Sequence, residues 1–190
     1  MNHTLDTFFA GWEHAAVHEY APVNDLLARH CSGYSCSPRL DASGSGLSSA
    51  GLHYEGLARL PFPDGSFDIL ISQDVLEHVG WLPEAVREIQ RVLKQEGAHV
   101  FTTPKHRSLA RSRPRVRRDG DEVTYLEDAH YHGDPTSHGR ELVTWDFGAD
   151  VEALITQWSG APTMSYVERD RHLGLDGEFL DVFVTRRIAD

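Results

Sequence analysis

The sequence predicts an α/β fold with a mostly parallel sheet covered by helices on both faces. Three observations lead there. The stretch Leu60 to Pro104 reads as turn, buried strand, loop, amphipathic helix, stop and second buried strand. A strand–helix–strand unit of this length is a right-handed parallel crossover. Phe67 to Ser72 is apolar on both faces, as in a strand buried on two sides. Finally, Thr163 to Arg169 and Phe179 to Arg186 read as two strands around the loop Leu173-Gly174-Leu175-Asp176-Gly177, where Asp-Gly is a turn signal.

The elements follow in order. Leu5, Phe8, Phe9 and Trp12 form an apolar helical stripe over residues 1–14, a cover for the sheet or a lid over a substrate. Ala15 to Tyr20 is the first strand, Pro22 to His30 the first helix and Gly33 to Ser37 the second strand. Ala42 to Gly51 is a Gly/Ser connector by composition, and Leu52 to Leu57 a third strand. Pro63-Asp64-Gly65 is a turn: Pro presets φ, Asp bonds its own backbone and Gly accepts a positive φ. Pro83 suits a first helical turn. Leu82, Ala85, Val86, Ile89, Val92 and Leu93 then recur at helical spacing, opposite Glu84, Arg87, Glu88, Gln90, Arg91 and Lys94. Glu96-Gly97 is a left-handed stop before the strand Ala98 to Thr102. Late in the chain, Phe147, Val151, Leu154, Ile155 and Trp158 mark a helix stopped by Ser159-Gly160.

Composition sets bounds. A chain of 190 residues, 40% hydrophobic and 25% charged, suits one domain over 1–190 with a real core. A net charge of −11 argues against nucleic acid or an anionic membrane as the main partner. No apolar run reaches membrane-spanning length, and no basic region precedes an apolar stretch at the N-terminus, so a cytoplasmic monomer or homodimer is expected. Cys31 and Cys36, in CSGYSC, read as reduced thiols.

LPFPDGSFD, DVLEHV and REIQRVLKQEG, in that order, resemble the second half of class I S-adenosylmethionine-dependent methyltransferases of the broad type 11 kind. The resemblance implies a three-layer sandwich with a doubly wound, mostly parallel seven-stranded sheet and an antiparallel last strand. It also implies S-adenosylmethionine as cofactor and methyl transfer to O, N or C of a small molecule. Residues 105–142 become an insertion after strand five. The front half departs from the pattern. Where the family carries a glycine-rich loop after strand one, this chain reads His18-Glu19-Tyr20-Ala21-Pro22-Val23. On the cofactor side the candidates are Glu19 and Tyr20 in that segment, Asp41 for the ribose, Glu55 (next to Gly56) for the adenine, and Gln73 and Asp74 at a strand end facing the crevice.

Glu77 and His78 follow on one helical turn, and His78 is a candidate general base with Glu77 beside it. Lys105 to Arg118 is a basic run in an acidic chain, either a solvated arm balancing acids or a clamp for an anionic substrate in which Arg107 takes part. In YLEDAHYHGDPTSH, His130 and His132 are further acid/base candidates, with Tyr131 and Asp134 facing substrate. The same residues also suit a structural loop or a metal site, and no metal is assigned. The missing glycines, Gly56 and the small size also fit a methyltransferase-like fold turned to hydrolysis, cyclisation or rearrangement, or a non-catalytic partner of a larger enzyme.

Overall fold

The computed structural model describes residues 1–37, 55–119, 122–133 and 140–188. Among them, six strands build the central sheet: β1 (Ala16–Tyr20), β2 (Gly33–Ser37), β3 (Phe67–Gln73), β4 (Leu93–Thr102), β5 (Thr163–Val167) and β6 (Asp181–Arg186). Their spatial order is β5-β6-β4-β3-β1-β2. β1 pairs in parallel with β2 and β3, and β3 with β4, while β6 runs antiparallel between β4 and β5. The helices are α1 (Asn2–Phe8), α2 (Leu26–His30), α3 (Leu82–Val92) and α4 (Val151–Ser159). No helix among the described residues is long and apolar enough to cross a membrane.

Side-chain alternation divides the core into two layers. Leu70 of β3, Phe101 of β4 and Phe183 of β6 face α3, α4 and Leu57. Ile69 and Ile71, with Val17, Ala98, Val100 and Val184, face Leu5, Trp12 and Leu27 on the other side. All five apolar positions of the α3 stripe are buried, and full burial of each large one stabilises the fold by about 1.5–3 kcal/mol.

Among the described residues the sheet has six strands where seven are expected. Within the strand expected over Leu52 to Leu57, Glu55–Ala58 forms a 3-10 turn; residues 52–54, the Ala42 to Gly51 connector and Asp41 lie outside the described residues. The reason for the turn lies in packing. Leu57 is fully buried in the layer beneath α3, so the turn plugs the core.

Other boundaries moved. α2 begins at Leu26, where Asn24 Oδ1 accepts from the Leu26 amide (2.9 Å), so Pro22 to Asp25 form a turn outside the helix. α3 runs directly into β4, which starts at Leu93, five residues earlier than expected. Glu96-Gly97 is therefore not the helix stop, which falls at extended Leu93, but a bulge inside β4 where the register with β3 shifts. Glu96 takes the left-handed φ of 61°, while Gly97 is needed for close approach: a Cβ there would lie 2.8 Å from the Lys94 carbonyl oxygen and 3.0 Å from that of Asp68. At the same corner Arg187 Nη1 donates to the carbonyls of Gln90, Arg91 and Leu93, capping the end of α3.

Candidate functional site

The chain leaves β1 toward β2 on one side and returns through β3 and β4 on the other. The topological switch point therefore lies between the C-terminal ends of β1 and β3, where open α/β sheets bind ligands. Glu19, Tyr20, Gln73 and Asp74 all stand there. Among the described residues, two of the three non-glycine residues with positive φ flank this crevice, Ala21 at 56° and Asp74 at 50°. Ala21 thus holds, without glycine, a backbone conformation that costs an L-residue about 1–2 kcal/mol.

Glu19 is 1% exposed, yet both carboxylate oxygens are bonded: Gln73 Nε2 donates to Oε1 and Tyr34 OH to Oε2, each at 2.8 Å. Burial raises its pKa and the two bonds oppose the rise. Asp74 is exposed at the rim; its amide donates to Thr102 O and Oγ1, and Thr102 Oγ1 donates to its Oδ1. His18, one residue before Glu19, is buried between Ser35 and Ser37 hydroxyls (2.9 and 3.0 Å), and burial lowers its pKa to about 4.

A second chamber of about 310 Å³ opens beyond β3 and β4, lined among others by Glu77, His106, His130, His132, Trp145 and Asp146. Short two-stranded ribbons build its wall: Arg113–Pro114 with Trp145–Asp146, Val116–Asp119 with Glu122–Tyr125, and Tyr131–Gly133 with Arg140–Leu142. In the last, His132 pairs directly with Glu141, so both side chains project from the same face. Thr144, fully buried, ties this wall to the turn after β3: its amide and hydroxyl donate to Glu77 O (2.7 and 3.0 Å) and its hydroxyl also to Val79 O.

Glu77 and His78 sit on the 3-10 turn Leu76–His78, both buried. Thr103 Oγ1 donates to Glu77 Oε2 at 2.9 Å, while Oε1 has no hydrogen-bond partner among the described residues. Burial, then the charge of Asp74, push the Glu77 carboxyl up to about 8, against the bond from Thr103; Glu141 adds a smaller push. His78 Nδ1 lies 2.9 Å from Leu142 O, and Nε2 stands 3.6 Å from Glu141 Oε2 and 3.9 Å from Glu77 Oε1. His132 rests edge-to-face against both His78 (5.1 Å) and His130 (5.5 Å). Burial, then His130, holds its pKa below the ordinary imidazole value.

The predicted residues thus divide. Glu19, Tyr20, Gln73 and Asp74 meet at the switch point; Glu77, His78, His130 and His132 meet at the chamber. Arg107 lies elsewhere, exposed and paired with both oxygens of buried Asp181 (3.0 and 2.8 Å). Tyr131 stands on the chamber ribbon and is exposed. Glu55 falls on the 3-10 turn, and Asp41 and Asp134 lie outside the described residues. Arg113 and Arg115 of the basic run pair with Glu127 and Asp146 at the chamber wall. Sequence reasoning missed Glu141, His106 and Trp145. His106 was findable, because it stands two residues past the Thr102-Thr103-Pro104 strand end that opens on the crevice.

Comparison with known proteins agrees with this architecture. Residues 25–101 match the family described as "Methyltransferase domain". Over 80 residues the chain is 39% identical to the malonyl-[acyl-carrier protein] O-methyltransferase of Halorhodospira halophila, covering 41% of this chain and 27% of that protein. The alignments span 17% to 48% of the length of the curated relatives it matches. An S-adenosylmethionine-dependent methyltransferase from Mesorhizobium loti superposes with a TM-score of 0.60 at 18% identity, covering 97% and 96% of the two chains. A Burkholderia thailandensis N1-methyltransferase, crystallised with 1,6-didemethyltoxoflavin and S-adenosylhomocysteine, gives 0.50 at 13% identity over 93% and 72%. The matched segment spans the crossover, and there the chain is similar to the class I S-adenosylmethionine-dependent methyltransferases of the type 11 kind, whose fold it shares, without their glycine-rich loop after β1.

Proposed function

We propose that the protein transfers the methyl group of S-adenosylmethionine to a nucleophilic O, N or C of a small molecule held in the histidine-lined chamber. The observation that carries this reading is the adjacency of two compartments. The switch-point crevice and the chamber share Asp74 at their border, whose charge reaches both Glu77 and His132. A donor seated at the ends of β1 and β3 faces an acceptor seated beyond β3 and β4, the in-line arrangement in which proximity supplies much of the rate.

When bound, the cofactor supplies an electrophilic methyl on a sulfonium. The chain's own residues orient the acceptor and take its proton. His130 is the base in this reading. It lines the chamber and is exposed, so the protonated ring stays in contact with water. His132, half-buried, disfavours the charged form, and His78 does not reach the chamber wall, so both are positioning residues. Trp145, stacked on Phe147 and edge-on to Trp158, offers a rigid aromatic face for a planar acceptor.

Calorimetry with S-adenosylmethionine and S-adenosylhomocysteine tests the reading. Micromolar binding of both is expected, with release of S-adenosylhomocysteine when small aromatic alcohols or amines are supplied. No binding of either nucleoside overturns it and leaves the fold serving other chemistry.

A further inference from the structure

The sequence assigns no metal to this chain, but three side chains from two separate elements converge in a way the sequence does not reveal. Glu77, His78 and His132 each offer one ligand atom, and these atoms all lie within 4.8 Å of one another. Glu77 is 2% exposed, and its Oε1 is buried with no hydrogen-bond partner among the described residues. His78 is oriented by Leu142. A carbonyl oxygen only accepts, so Nδ1 carries the hydrogen. His78 Nε2 stands 3.6 Å from Glu141 Oε2 and 3.9 Å from Glu77 Oε1.

We propose that Glu77, His78 and His132 bind one divalent first-row transition ion such as Zn²⁺, at the inner end of the chamber. Two imidazoles and one carboxylate select Zn²⁺ or Fe²⁺ over Mg²⁺ and Ca²⁺, which take oxygen ligands. The chamber, lined by Glu77 and His132, provides the entry path and leaves a coordination position open. The carbonyl of Leu142 behind His78 is the outer partner that fixes ring and tautomer at metal sites. Bond lengths of about 2.0–2.2 Å require the donors to draw together. His132, half-buried on its short ribbon, is the ligand placed to move. Glu141, across the ribbon from His132, adds a second buried carboxylate whose charge favours a cation.

The proposal is independent of methyl transfer, and its test reads metal alone. Untagged full-length protein is stripped with chelator and dialysed against Zn²⁺ or Co²⁺. The expected result is one ion per chain, with a visible Co²⁺ absorption band from imidazole and carboxylate ligation. Glu77→Gln and His132→Ala are each expected to weaken binding on the order of tenfold or more, and His130→Ala to leave it unchanged. Substoichiometric uptake overturns the proposal. Uptake that survives both ligand substitutions overturns it too, by placing the ion on surface histidines. Should Glu77→Gln fail to fold by circular dichroism, His132→Ala decides.

Discussion

Two glutamates, Glu19 near the end of β1 and Glu77 on the turn after the adjacent parallel strand β3, are both withdrawn from water. Their surroundings differ. Glu19 accepts from Gln73 and Tyr34, one donor per oxygen, so its compartment is internally satisfied. Glu77 keeps one oxygen bonded and the other without a hydrogen-bond partner among the described residues, with Asp74 and Glu141 adding negative charge nearby. The contrast teaches that burial alone does not identify a reactive group. A satisfied buried acid shapes a pocket, whereas a half-satisfied one stores free energy that a proton, a cation or a ligand can release.

The largest expected effect falls on the chamber. His130→Ala should lower turnover on the order of 10²–10⁴-fold, the usual contribution of a positioned base, while calorimetry shows cofactor affinity unchanged. An equal loss of cofactor affinity would move His130 to the other compartment.

Next is the pH dependence of stability. The folded pKa of Glu77, pushed up to about 8, lies above its unfolded value of 4.5. Between those limits the unfolded chain has released a proton that the folded chain retains, so stability is fully present below pH 4.5 and falls as pH rises toward 8. Glu77→Gln should flatten that slope by a few kcal/mol in chelator-treated protein, read as urea midpoints from pH 5 to 8. An unchanged slope would show the carboxylate to be neutralised.

At the satisfied glutamate, Gln73→Leu should cost about 1–3 kcal/mol, because one carboxylate oxygen loses its donor, and the loss should grow as pH rises and Glu19 ionises. Thermal unfolding at two pH values measures it. The smallest effect belongs to Ala21→Gly. Relief of the positive φ should stabilise the fold by up to about 1 kcal/mol, offset in part by the extra freedom glycine brings to the unfolded chain; destabilisation would mean that the Ala21 methyl packs more than it strains.

Much of the architecture was legible because its signals are local. The α3 stripe, the Pro63-Asp64-Gly65 turn with Gly65 at φ 64° and the bounds of β2 are written in consecutive residues. Leu52 to Leu57 misled because a short apolar run serves equally as an edge strand or a core plug, and only the position of α3 decides. The chamber was half legible. Glu77-His78 and His130-x-His132 stood out as residue types. Their convergence depends on Glu141 facing His132 across a ribbon and on Thr144 tying that ribbon to the turn after β3, pairings that no spacing encodes. Arg107 shows the reverse: a basic run draws attention in a sequence, yet this member's partner is Asp181, 74 positions away.

Arg187 carries a consequence for how the chain is made. The carbonyls it seals at the exit of α3 belong to residues synthesised 94 to 97 positions earlier. A nascent chain therefore holds the central crossover with an unsealed corner until Arg187 leaves the ribosome. Truncation before Arg187 should leave that corner open to proteolysis near Lys94, whereas full-length protein resists cleavage there; equal resistance would show the seal to be dispensable.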